Sequence, residues 1–167
     1  MLQKLVIFGD SISTTQIGDG GYQAFLQPLL PGVPILNHAV AESGAASGTP
    51  NPVLQVLQRQ SGDLAGAGAV ILWHGTNDWY WGSPLGTPGR PDPSTYLGAL
   101  ELAGREIFRL APQATLLFAT PLFRWQAPDG GTTPGDARRL PNRQGLTLQA
   151  YDQAVRTAAA RLGAVLV

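Results

Sequence analysis

Three short stretches place chemically capable side chains at the ends of apolar runs: Gly9-Asp10-Ser11, the segment from Asn37 to Gly44, and Gly75-Thr76-Asn77-Asp78. Ser11 offers a hydroxyl nucleophile. The amides of Ser11 and Gly44, with the side-chain NH2 of Asn77, offer donors to an oxyanion. If the three runs are neighbouring strands, these parts meet in one crevice and form an acyl-transfer site. One preorganised donor in such a site is worth roughly 2.7–4 kcal/mol of barrier. Taken alone, Gly9-Asp10-Ser11 also reads as an ordinary strand-to-turn junction, in which Gly9 allows a sharp turn and Asp10 bonds back to the turn's own amides. The Asn77 stretch moves Ser11 toward the nucleophile reading.

Further side chains are candidates for substrate contact. Trp79, Tyr80 and Trp81 directly follow the Asn77 turn, and Phe123 and Trp125 follow the fourth apolar run. Placed on the ligand side of a sheet, they would wall an acyl group or a glycan; the competing role is to anchor their own loops. Asp10, Trp79, Trp81, Phe123 and Trp125 form the candidate substrate-binding set. A serine nucleophile also needs a base, and the chain has only two histidines. His38 reads as a turn residue beside Asn37, and His74 as a packed or hydrogen-bonded strand-end residue. Asp10 and Asp78 could pair as carboxylates for glycoside chemistry, but turn hydrogen bonding is the commoner task for such residues. There is no G-x-S-x-G elbow, no phosphate-binding loop and no G-x-G-x-x-G following a strand.

The elements that must position these residues follow from hydrophobic pattern. Leu5–Phe8, Val33–Leu36, Ala69–Trp73, Ala114–Ala119 and Ala164–Val167 read as short buried strands. Between them, helices are predicted from Tyr22 to Leu29, from an Asn51 N-cap with Pro52 at its first position, from Asp92-Pro93 through Leu110, and from Leu148 to Leu162. Glu101 and Arg105 are expected as an i,i+4 pair on the exposed side of the third of these helices. Loops are expected over residues 14–21, 79–90 and 122–139, the last long enough to be a lid or binding loop. The alternation implies one α/β domain over residues 1–167, with a parallel sheet and helices on both faces.

In this order and context, Gly9-Asp10-Ser11, Asn37-His38-Ala39-Val40 through Gly44-Ala45, and Gly75-Thr76-Asn77-Asp78 resemble the SGNH hydrolases, also called GDSL-type lipases and esterases. The resemblance implies a three-layer α/β/α sandwich, flavodoxin-like, with a five-stranded parallel sheet in the order 2-1-3-4-5. It implies ester cleavage through an acyl-enzyme on Ser11, with an oxyanion hole from Ser11, Gly44 and Asn77 and no cofactor. Ala41-Glu42-Ser43 lengthens the approach to Gly44 relative to the family's habit. The family's fourth block, Asp-x-x-His, is absent: no aspartate of the chain has histidine three residues later. Three explanations stand. The chain is a fragment that stops short of that block, it is a catalytically silent ligand- or glycan-binding relative, or a second polypeptide supplies the Asp and His.

Composition narrows the partners. Eleven basic and eleven acidic residues balance, so no global field favours nucleic acid or an anionic membrane surface. The absence of cysteine removes disulfides, thiolate metal sites and a cysteine nucleophile. No apolar run reaches membrane-spanning length or signal-peptide form, so a cytoplasmic protein without membrane insertion is expected. The expected partner is a small ester or acylated-sugar substrate.

Overall fold

The structure is a computed structural model and describes residues 2–16 and 21–167. Residues 17–20 of the expected first loop lie outside the described residues. The central sheet contains β1 (Leu5–Gly9), β2 (Ile35–Asn37), β3 (Ala69–Trp73), β4 (Thr115–Phe118) and β7 (Val165–Leu166). All its pairings are parallel, in the order β2-β1-β3-β4-β7. This is the expected five-stranded order. A separate antiparallel pair, β5 (Trp125–Gln126) and β6 (Gly135–Asp136), folds within the long 122–139 stretch.

Alternation along the strands sends side chains to two different layers. Val6, Phe8, Val70, Leu72, Leu116 and Phe118 face the larger core. There they meet α2 (Val53–Arg59), α4 (Tyr96–Leu110) and α5 (Leu148–Leu162). Leu5, Ile7 and Ala69 face the other way, against Tyr22, Leu26 and Leu30. That second layer is thin. The helix expected over Tyr22–Leu29 is only α1 (Gln23–Leu26), continued as a 3-10 turn over Gln27–Leu29 that contains Pro28. Proline has no amide to donate to an α-helical ladder. Phe25 and Leu29, which recur with Tyr22 and Leu26 at helical spacing, are exposed.

Two further boundaries differ from expectation for local reasons. Asn51 does not cap α2; it takes a left-handed φ of 44° and offers its carbonyl to the Ser43 hydroxyl at 2.7 Å. The α4 helix starts at Tyr96 instead of Asp92, with Thr95 Oγ1 accepting from the Gly98 amide at 3.3 Å. At the other end of the chain, Gly163 closes α5 at φ 66°, the left-handed conformation that glycine takes at little cost.

Glu101 corrects a sequence expectation more sharply. It is 1% exposed, not on the solvent side. Its Oε1 accepts from Arg161 Nε at 2.7 Å and from the Gly89 amide at 3.1 Å, while Arg105 stands farther off at 3.6 Å. One buried carboxylate therefore ties α4 to α5 and to the loop that follows Gly82. Helical spacing identified Arg105 as a neighbour, but only the packing of α5 on α4 brings in Arg161, 60 residues away. Glu101 is buried but Arg161 is solvent-exposed, so Glu101→Ala strands no charge. It removes the charged hydrogen bond from Arg161 and leaves the Gly89 amide without its acceptor, and should destabilise the fold by roughly 1.5–3 kcal/mol. Urea unfolding of the two proteins measures this, and Arg105→Ala should cost well under half as much.

Candidate active site

The crevice lies at the carboxyl ends of β1 and β3, where open α/β sheets bind ligands. After β1 the chain turns through Asp10 and Ser11. The Asp10 carboxylate accepts the Ile12 amide at 2.9 Å, and the Asp10 carbonyl accepts the Ser13 amide at 3.0 Å. This fixes Ser11 at the apex of the turn, half-buried. Asp10 itself is buried beneath it. Its carboxylate is spent on the turn, which corrects its assignment as a substrate contact.

After β3, Gly75 takes φ 139°, a conformation that favours glycine. A Cβ there would lie 2.6 Å from both Pro121 Cγ and Tyr96 Oη. This turn starts a helix at once: α3 spans Thr76–Trp81 and ends on Gly82 at φ 65°. The expected loop over 79–90 is thus helical at its start. Helical spacing turns Trp79 inward, where it is 0% exposed, and its indole donates to the Leu140 carbonyl at 3.2 Å. Trp79 is core and not a substrate wall. Asn77 and Asp78 occupy the first turn of the same helix.

From there they hold the Gly44 loop. Asn77 Nδ2 donates to the Ser43 carbonyl at 2.8 Å. The Asp78 carboxylate accepts the amides of Ala45 at 2.8 Å and Ala46 at 2.9 Å. Gly44, between these anchors, is close-packed against Thr49; a Cβ would sit 2.6 Å from its side chain. The residue two before it, Glu42, adopts φ 63°, a left-handed conformation uncommon for non-glycine residues. Among the described residues neither the Ser11 nor the Gly44 amide donates to a protein acceptor.

Ser11 and Asn77 line one cavity of about 280 Å³, together with Ile12, Thr76, Phe123 and Arg124. A second cavity of about 170 Å³ lies beside it and shares Asn77 and Arg124; Glu42, Tyr80 and Trp81 line its far side. Trp81 is therefore at the crevice, edge-on to Tyr80 with ring centroids 4.8 Å apart. Phe123 is half exposed beneath the Arg138 guanidinium, which stands 4.6 Å from its ring centroid. Trp125 lies in β5, 67% exposed, and lines neither cavity. Sequence reasoning missed Arg124. Nothing in its surroundings in the chain marks it, because it reaches α3 only through the path of the β4–β5 connection.

Both histidines are committed elsewhere. His74 is buried, with Nε2 3.0 Å from Ser43 Oγ. That hydroxyl gives its one proton to the Asn51 carbonyl, so His74 must donate and carries its hydrogen on Nε2. Burial pulls the His74 pKa down to about 3. His38 Nε2 lies 2.9 Å from Asp63 Oδ2, at ion-pair distance but not aligned as a hydrogen bond. Neither lines the Ser11 cavity. Asp10 and Asp78 likewise serve backbone amides, as turn residues do, and not glycoside chemistry.

A family model described as the GDSL-like lipase/acylhydrolase family matches residues 7–167. The chain belongs to that family. Among curated protein sequences none matches the chain. Solved structures with the same fold include a protein from Lactobacillus plantarum, at 21% identity and TM-score 0.80, covering 99% of this chain and 76% of that one. A possible lipase from Chitinophaga pinensis superposes at 21% identity and TM-score 0.72, covering 98% and 66%. Phospholipase A1 from Streptomyces albidoflavus does so at 19% identity and TM-score 0.60, covering 99% and 79%.

The buried carboxyls give the site a pH signature. Burial raises Asp10 and Asp78 from 3.8 to about 6, against the amides that hold each charge; their proximity adds to the rise at Asp10. Between about pH 4.5 and 6 the folded state keeps two protons that the unfolded chain has released, and lacks the one that unfolded His74 holds. The balance is one extra proton on the folded side, so stability falls as pH rises through this window, by about 1.4 kcal/mol per pH unit at most. Asp92, Glu106 and Asp136 have lowered pKa values and titrate below it. Melting temperature should therefore decline from pH 4.5 to 6. In Asp78→Asn, which removes one of the two protons, the profile should be flat and lie lower throughout, because the amide presents only one oxygen to the two loop N–H groups.

Proposed function

We propose that this chain builds a serine-esterase site that cleaves small carboxylic esters, acetyl or longer acyl, with a simple alcohol or a sugar as the leaving group. Ser11 Oγ attacks the carbonyl carbon, and the alcohol leaves with a proton. Water then hydrolyses the acyl-Ser11 ester. The oxyanion of each tetrahedral intermediate is received by the Ser11 and Gly44 amides and the Asn77 NH2. One observation carries this reading: Ser11 and Asn77 line the same cavity, and Asn77 spends one amide hydrogen on Ser43 while the other has no acceptor among the described residues.

The proton on Ser11 Oγ needs a base, and neither histidine supplies it. An Asp-x-x-His segment presented at the crevice, including one from a second polypeptide, is the group proposed for that role. Without it, the oxyanion donors and binding leave a residual acceleration of about 10³–10⁴ over water. The same commitment of His38 and His74 favours a second reading, a silent domain that binds an ester or glycan without cleaving it.

A fluorophosphonate probe separates the two. The complete gene product should be labelled at Ser11, and Ser11→Ala should abolish labelling; an unlabelled, folded protein would leave only the binding domain. For the esterase, Asn77→Ala should lower kcat by roughly 10²–10³-fold with little change in KM, because its donor acts in the transition state. Steady-state kinetics on an acetyl ester measure this, with the melting temperature as a check that the Ser43 contact has not carried the fold with it. A change in KM alone would place Asn77 in substrate binding.

A further inference from the structure

Among the described residues, Arg124 alone of the ten arginines is half-buried; the other nine are exposed. It stands on the wall shared by both cavities beside Asn77. Its Nη1 is 3.4 Å from the Thr76 carbonyl and 3.4 Å from Asn77 Oδ1, both long contacts. Its Nη2 meets the Gln126 side-chain oxygen, and its guanidinium stands 5.1 Å from the Tyr80 ring centroid. These neutral neighbours orient the guanidinium plane without neutralising it.

Among the described residues, Arg124 forms no ion pair, whereas six of the exposed arginines do. Asp10 acts on Arg124 electrostatically without forming an ion pair with it, and its carboxylate is engaged with the Ile12 amide; Glu42 lines the outer cavity without pairing. A half-buried cation without a counter-ion is costly unless a ligand supplies one. A guanidinium presents five donors in a planar fork that matches the two oxygens of a carboxylate or phosphate. Here three of the contacts run to single neutral oxygens, so donors remain for an oxyanion arriving from the crevice.

We propose that Arg124 is a substrate-anion receptor, and that the crevice takes esters carrying a carboxylate or phosphate on the portion that lies over Asn77. This rests on the esterase reading for the identity of the substrate as an ester, but not for the anion. An ester bound with its carbonyl at Ser11 would extend past Asn77 and place its anionic group against the fork. Uncharged esters of the same shape would lose that contact. The outer cavity, closed by Tyr80 and Trp81, would then hold the apolar part that bears or flanks the anion.

Binding of non-hydrolysable amides tests this independently of catalysis. Titration calorimetry would compare 3-acetamidobenzoate and 3-acetamidophenyl phosphate with the neutral 3-acetamidobenzamide. The wild-type protein should bind at least one anion about tenfold or more tightly than the neutral amide. In Arg124→Gln that ratio should fall to within about threefold of one, and Arg124→Lys should retain part of it. The preferred anion identifies the carboxylate or the phosphate as the source. Because loss of Arg124 also frees the Asn77 oxygen, a wild-type measurement guards against misfolding of the variant: the preference should shrink several-fold between about 50 and 500 mM salt, as an ion pair is screened. A preference that survives in a folded Arg124→Gln, a salt-independent preference, or no preference for either anion would overturn the proposal. If Ser11 is not labelled by fluorophosphonate yet the anion preference holds, the esterase reading fails and the receptor stands.

Discussion

The first turn of α3 grips the loop that carries Gly44, and the rest of the site depends on that grip. Asn77 holds the Ser43 carbonyl from one side, and Asp78 holds the Ala45 and Ala46 amides from the other. A loop of small residues has little side-chain packing to restrain it, so these hydrogen bonds decide where the Gly44 amide points. Charge-assisted bonds from amides to a buried carboxylate are among the stronger ones available for that task. The Ser43 hydroxyl adds a third attachment, bridging His74 at the end of β3 to Asn51 before α2.

The same interaction explains why Asp78 tolerates complete burial. The two loop amides and the positive end of a helix stabilise its charge, while loss of water opposes it. Asp10 occupies the parallel position after β1, where it organises the Ser11 turn in the same way. Two neighbouring strands thus end in the same device, a carboxylate that gathers backbone amides. On one strand the device presents a hydroxyl, and on the other it orients an amide. The acids beside Ser11, Gly44 and Asn77 are thus already occupied by backbone amides.

Arg124 enters from a different part of the chain and gives the crevice its charge. Its segment leaves β4, passes over α3 and returns through the β5–β6 pair, so the long 122–139 stretch is a structured wall and not a featureless loop. Phe123 and Arg124, adjacent in sequence, both face the Ser11 cavity, whereas Trp125 turns away into β5. An aromatic cluster in the sequence was thereby divided among wall, core and surface.

What the sequence determined by itself is the alternation of five short strands with helices, and the three polar turns that follow the first three strands; the order of the strands was what the family resemblance implied. Buried parallel strands announce themselves as short apolar runs, and Ser11, Gly44 and Asn77 each follow one of them. The lack of an Asp-x-x-His block was equally legible, but that neither His38 nor His74 lines the Ser11 cavity was decided by the packing. The tertiary structure decided the contacts that join residues far apart in sequence. Trp79 went to the core because Gly75 started a helix where the pattern suggested a loop. Glu101 was buried because α5 brought Arg161 to it, and Arg124 reached Asn77 across 47 residues. Periodicity reports which face of an element is apolar; it carries no information about which distant side chain will meet a polar one.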